Sequence, residues 1–163
     1  MLDISKISGF AIGGDVLSIL LVLGLLVLYT AWRGRGALAS LLLSLYIALA
    51  LFQNLPIEVT GGGSLLQTFL IEAGILFGSA IIIHLFIYQM VILDDWSEGL
   101  HKFMVPSVLS ITTTGLIFAI TINILNIGRV YEFSYYIAKA FTPDLFFWWL
   151  VAPVIGLVFA SRV

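Results

Sequence analysis

Residues 65–93 read LLQTFLIEAGILFGSAIIIHLFIYQMVIL, 29 residues that are apolar almost throughout and hold two titratable side chains, Glu72 and His84. At ~1.5 Å of rise per residue such a helix is about 43 Å long, enough to cross a bilayer together with its headgroup regions. Four more apolar runs surround it, at about residues 16–32, 37–55, 103–127 and 145–160. Runs of this length, repeated through the chain, set the fold class. We expect an all-α, polytopic transmembrane helical bundle of about five helices, in a single integral membrane domain over residues 1–163.

Composition narrows the function classes. The chain is 61% hydrophobic and 10% charged, with a mean hydropathy of +1.17, whereas soluble domains carry about 25% charged residues. So little charge cannot cover a water-facing surface. Five spans and their loops fill the 163 residues and leave no room for a separate soluble catalytic domain. A net charge of −2 without a basic patch argues against a nucleic-acid partner. The absence of cysteine removes disulfides, thiol catalysis and cysteine metal sites. No zinc-protease HExxH, phosphate loop or nucleophile elbow is present. The chain therefore reads as non-enzymatic, without a cofactor or metal. Its partners are the lipid bilayer and, by lateral helix contact, further copies or other membrane subunits.

Outward from the central run, the order is as follows. Residues 1–14 form a short leader in which Ile4, Ile7 and Phe10 recur at helical spacing, as in an amphipathic surface helix. Gly13-Gly14 should break it, with Asp15 as the N-cap of a retained first span. Tyr29 and Trp32 suit the interface at that span's far end. Arg33-Gly34-Arg35-Gly36 should close a tight helical hairpin, and its cations place that turn in the cytoplasm. In the second span Ala37, Ser40, Ser44 and Ala48 fall on one stripe, a surface for close helix contact in lipid. Pro56 and the triple glycine at 61–63 make a loop before the central run. Residues 128–144 mix charge with five aromatics and read as an interfacial helix or loop, ending in Thr142-Pro143, a good N-cap and N1 pair. The last run is short enough that a re-entrant helix is an alternative to a span, and Pro153 is a candidate kink.

Glu72 and His84 are the sharpest candidates for chemistry, because an ionisable group inside a membrane costs a few kcal/mol and needs a polar partner or water. Twelve residues apart, they stand ~18 Å apart along a helix and ~120° around it, so they cannot bond one another. Thr68, Glu72 and Ser79 share one face, and Gly74 and Gly78, a GxxxG pair, share nearly the opposite one. Two specified faces suggest a central helix. A proton or ion pathway would run past Glu72, Ser79 and His84 and borrow Thr114, Asn123 and Asn126 from the fourth run. The alternative is that Glu72 reaches the interface while His84 bonds a neighbouring helix and the hydroxyls bond their own backbone. Asp94, Glu98 and His101 could hold a divalent ion, or Asp95 and Glu98 could form the capping box of the fourth helix.

The first hairpin also carries a resemblance. Asp15 opens span one, Arg33-Gly34 closes it eighteen residues later, and a small-residue span follows. Over residues 15–55 this resembles the opening of the colicin V production family of small inner-membrane proteins. Asp94–Lys102 matches the turn before that family's last span poorly, and the fifth apolar run is additional. The resemblance implies a multi-pass bacterial inner-membrane protein linked to toxin production or export and envelope physiology, and it carries no catalytic residue. The leading expectation is thus a non-enzymatic membrane subunit or accessory protein of a secretion or envelope assembly, oligomeric through Ser40, Ser44, Gly74 and Gly78. The alternative is a small oligomeric ion channel or proton-coupled transporter.

Overall fold

The computed structural model describes residues 4–55, 64–90 and 101–162. It is a helical bundle, with no strand among the described residues. In chain order the helices are α1 (Ile4–Arg33), α2 (Arg35–Gln53), α3 (Leu65–Met90), α4 (His101–Asn123), a six-residue α5 (Tyr135–Ala140) and α6 (Pro143–Arg162), with a single 3-10 turn at Ile127–Arg129. Four helices contain stretches long and apolar enough to cross a membrane, Gly14–Arg33, Gly36–Gln53, Leu65–Gln89 and Val105–Asn123. The fifth apolar stretch, Pro143–Phe159, is shorter. Rows of large apolar side chains stand exposed along α1 (Leu17, Leu20, Leu21, Leu25, Leu28) and α3 (Ile81, Ile82, Leu85, Phe86). Contiguous apolar surface on that scale is foreign to a soluble monomer and ordinary against lipid tails.

Three expectations change. α1 does not start at Asp15; it runs unbroken through Gly13-Gly14. The cost of glycine in a helix is mainly backbone entropy, about 1 kcal/mol each, which lowers helix stability without forcing a break, and glycine is common in membrane helices. α4 stops at Asn123, short of residue 127, and the chain turns there through Asn126 in the left-handed region (φ 51°), a conformation that asparagine tolerates. α3 is not central. It packs on α2, while α4 packs on α1, α2 and α6. The two inner helices are α2 and α4. Residues 91–93 and the candidate metal or capping group at Asp94, Asp95 and Glu98 lie outside the described residues.

The α2 stripe packs as its spacing predicts. Ala37, Ser40, Ser44 and Ala48 are all buried, and Ala48 meets Ala80 of α3 in one cluster. Without a hydrophobic drive between helices in lipid, small side chains earn contact by letting backbones approach. On the adjacent face Leu38, Leu42 and Leu49 join Leu26, Leu76, Leu109, Leu116 and Ile120 in the main core. One residue, Gly34, separates α1 from α2; its φ of 83° disfavours any side chain, and its N–H closes on the Thr30 carbonyl at 2.8 Å.

α6 starts at Pro143, as the Thr142-Pro143 pair predicts, and continues across Pro153. A proline removes one ladder donor and crowds the preceding turn. In that turn the Leu150 carbonyl accepts the hydroxyl of Tyr46 from α2.

Candidate functional site

The His84 side chain hydrogen-bonds two other helices. α3 turns Leu76, Ala80 and His84, spaced by four residues, into the bundle, and all three are buried. His84 thereby sits where α1, α2 and α3 meet, about one and a half turns from the Gly34 hairpin. Its Nε2 is 2.6 Å from the Tyr29 hydroxyl of α1, and its Nδ1 is 3.1 Å from the Ser40 hydroxyl of α2. Ser40 donates to the Ala37 carbonyl at 2.8 Å, so the serine oxygen accepts from Nδ1–H. Nε2 then accepts from Tyr29. The pattern assigns a proton to Nδ1, and with the ring neutral Nε2 is the acceptor for Tyr29. It is a polarised run, Tyr29 to His84 to Ser40 to the Ala37 carbonyl, in which every donor has an acceptor. Tyr29 also meets the ring edge-on, with centroids 5.9 Å apart. Towards the hairpin Tyr88 lies 5.8 Å from the imidazole, and the exposed Arg33 guanidinium covers Tyr88 at 4.9 Å.

A second polar knot lies at the opposite end of α1. Asp15 is 2% exposed, and its carboxylate accepts the Tyr131 hydroxyl at 2.8 Å and the Ser134 backbone N–H at 2.6 Å. Instead of capping a helix, it fastens the 126–134 connector to α1. Tyr131 lies outside the spans, and its hydrogen bond to Asp15 pushes its phenol above the usual range.

The expected pathway residues do not converge. Glu72 lies half-buried on a flank of α3 two turns from the helix start, and no described residue pairs with it. Ser79 bonds its own helix at the Leu76 carbonyl (2.9 Å), and Thr114 bonds that of Ser110 (2.8 Å). Asn123 does reach across, donating to the Ala119 and Phe141 carbonyls, both at 3.0 Å, and so ties the end of α5 to α4. Asn126 shapes the turn after α4. His84 takes its partners from α1 and α2, whereas the fourth run was the expected lender. Ser40 contributes a hydrogen bond as well as packing. Ser44 bonds the Leu41 carbonyl. Gly74 and Gly78 face away from the bundle, and a Cβ at either would meet nothing within 4 Å.

Tyr29 and Asp15 were readable only as interface and cap residues. One available signal was angular: Tyr29, four residues before Arg33, lies close to the hairpin, and a tight hairpin brings it level with Ser40. No group of three metal-ligating side chains comes together among the described residues. No protein-family model, curated protein or solved structure matches the chain.

Proposed function

We propose that the chain is a non-enzymatic multi-pass membrane subunit, working by lateral helix contact within a secretion or envelope assembly. The observation that carries this reading is Glu72, a carboxylate two turns inside an apolar helix with no partner among the described residues. An unpaired acid there costs a few kcal/mol, and a polar group from a neighbouring protein removes that cost. The open Gly74/Gly78 face of the same helix offers close backbone approach. The likeness of the first hairpin to the colicin V production family points to the envelope setting. Because the chain has no cysteine, single-cysteine variants at Ile71 and Gly78, labelled with a thiol-specific photo-crosslinker, report contacts with any neighbour in native membranes. The expected product is one discrete adduct with a membrane partner, weakened by Glu72→Leu. A chain that stays monomeric at every α3 position refutes the proposal.

A second reading, proton handling, is favoured by the hydrogen-bonded run through His84. It predicts proton flux in liposomes that His84→Ala and Glu72→Gln abolish; no flux with the unmodified protein rejects it.

A further inference from the structure

The apolar stretch of α6, Pro143–Phe159, is shorter than those of α1 to α4. At about 25 Å of helix it sits at the lower limit for crossing hydrocarbon. Length alone leaves such a helix free to span, to re-enter or to lie on the surface. Its neighbours fix its depth. Trp149 lies against Gly115 of α4, while Gly156 lies against Leu109 and Thr112. Numbers rise along one helix as they fall along the other, so α6 and α4 are antiparallel. At equal rise per residue, those contacts set Pro143 level with about residues 121–125 and Phe159 level with about residues 105–109. The spanning stretch of α4 is Val105–Asn123.

A second neighbour gives the same depth. Asp15, at the start of the spanning stretch of α1, holds Tyr131 and Ser134. The connector from α4 to α6 therefore lies at the end of the bundle opposite the Arg33–Gly34 hairpin, and α6 runs from there towards the hairpin. α2 runs the other way. The Tyr46 hydroxyl of α2 meets the Leu150 carbonyl, which brings those two residues level. From Tyr46 the spanning stretch of α2 continues seven residues to Gln53 and reaches ten back to Gly36. From Leu150 the apolar stretch of α6 reaches seven back to Pro143 and nine on to Phe159. The two stretches are coextensive. A re-entrant helix turns back near mid-membrane, whereas α6 continues unbroken through that depth to Arg162. Phe147, Trp148, Val154, Ile155, Val158 and Phe159 stand exposed along it, and no charged residue interrupts positions 147–159.

We infer that α6 is a fifth complete span, its outer face seated in bilayer hydrocarbon, carrying the chain from the Asp15 side to the side of the Arg33–Gly34 hairpin. Asp144 in its first turn and Arg162 at its end fall at the levels where headgroups lie. The inference rests on the spanning reading of α1, α2 and α4, and it is independent of the role proposed for Glu72.

Single-cysteine variants of the full, cysteine-free chain test this with a membrane-impermeant maleimide applied to sealed right-side-out and inside-out vesicles. Trp32→Cys marks the hairpin side and Tyr136→Cys the Asp15 side, both at exposed positions. Ser161→Cys should label from the Trp32 side, and labelling from the Tyr136 side should be lost. Labelling of Ser161→Cys from the Tyr136 side overturns the inference. So does labelling of Trp32→Cys and Tyr136→Cys from one and the same side, which would remove the spanning reading of the other helices as well. A second measurement does not depend on reagent access. Nitroxides are attached in vesicles to Phe147→Cys, Val154→Cys and Phe159→Cys, all exposed in the bundle. The ratio of collisions with oxygen to collisions with a water-soluble nickel chelate should peak at Val154 and fall towards both ends. A ratio that is flat along the helix, as on the membrane surface, or that climbs steadily to Phe159, as in a re-entrant helix, overturns the inference.

Discussion

Tyr29→Phe tests the three-helix junction most directly. The substitution keeps the ring and its edge contact with His84 and deletes only the hydroxyl that donates to Nε2 at 2.6 Å. His84 is 8% exposed, so water cannot replace the donor freely. A buried acceptor left without a partner costs about 1–3 kcal/mol in soluble proteins. Interhelical hydrogen bonds measured in membranes average ~0.6 and reach ~1.7 kcal/mol, because the unfolded chain in lipid also finds partners. A site this enclosed belongs in the upper half of that range, so the expected loss is about 1–1.5 kcal/mol. Reversible unfolding in mixed micelles, followed by far-UV circular dichroism, measures it. The decisive comparison is a double-mutant cycle with His84→Leu. Once the imidazole is gone, Tyr29→Phe should cost almost nothing, giving a coupling of about 1 kcal/mol. Losses that add to within ~0.3 kcal/mol would mean that the pair does not act as a unit, and the Tyr29–Nε2 hydrogen bond would be refuted as a tie between α1 and α3.

Three further outcomes are expected. Gly115→Leu forces the Trp149 ring off its seat, disturbing the Phe141 stack and the Ala140 hydrogen bond. It should lower stability by at least ~2 kcal/mol and shift the emission of Trp149, whereas Gly74→Leu, whose Cβ meets no neighbour, should leave both unchanged. At Gly34 an alanine must adopt φ 83°, so Gly34→Ala should destabilise the α1–α2 hairpin by about 1 kcal/mol in the same unfolding assay. The Asp15–Tyr131 clasp should respond to alkali. The folded Tyr131 phenol ionises above its ordinary value of 10.0 because its proton is given to Asp15. Its stabilisation is therefore complete below pH 10 and is lost as pH rises through the folded value. The difference in tyrosinate absorbance between the unmodified chain and Tyr131→Phe should accordingly titrate above pH 10, and a midpoint at or below 10 refutes the clasp.

Glu72 and His84 illustrate how differently two intramembrane ionisable groups on one helix can be placed. Helical geometry alone separates them by ~120°, and the bundle makes that angle meaningful. The His84 direction points at α2 and α1, where two hydroxyls wait. The Glu72 direction leads to the flank of an outer helix, where no described residue pairs with it. One group is thus absorbed into the fold, while the other remains available to a partner.

The residues by themselves determined the class of fold, the tight Arg33-Gly34-Arg35 hairpin, the packing stripe at Ala37, Ser40, Ser44 and Ala48, and the start of α6 at Pro143. Each follows from local rules: run length against bilayer thickness, the freedom of glycine, 3.6-residue periodicity and the missing N–H of proline. Only the tertiary structure decided the rest. Periodicity states which side chains share a face and is silent on which helix that face meets, so α3 could read as central while packing on α2. An aspartate after two glycines looks the same whether a helix starts there or passes through. What made Asp15 a clasp is Tyr131, 116 positions away. The Trp149 ring likewise comes to lie on Gly115, a glycine of another helix. Pairings across such distances are set by packing the whole bundle, and no window along the chain contains them.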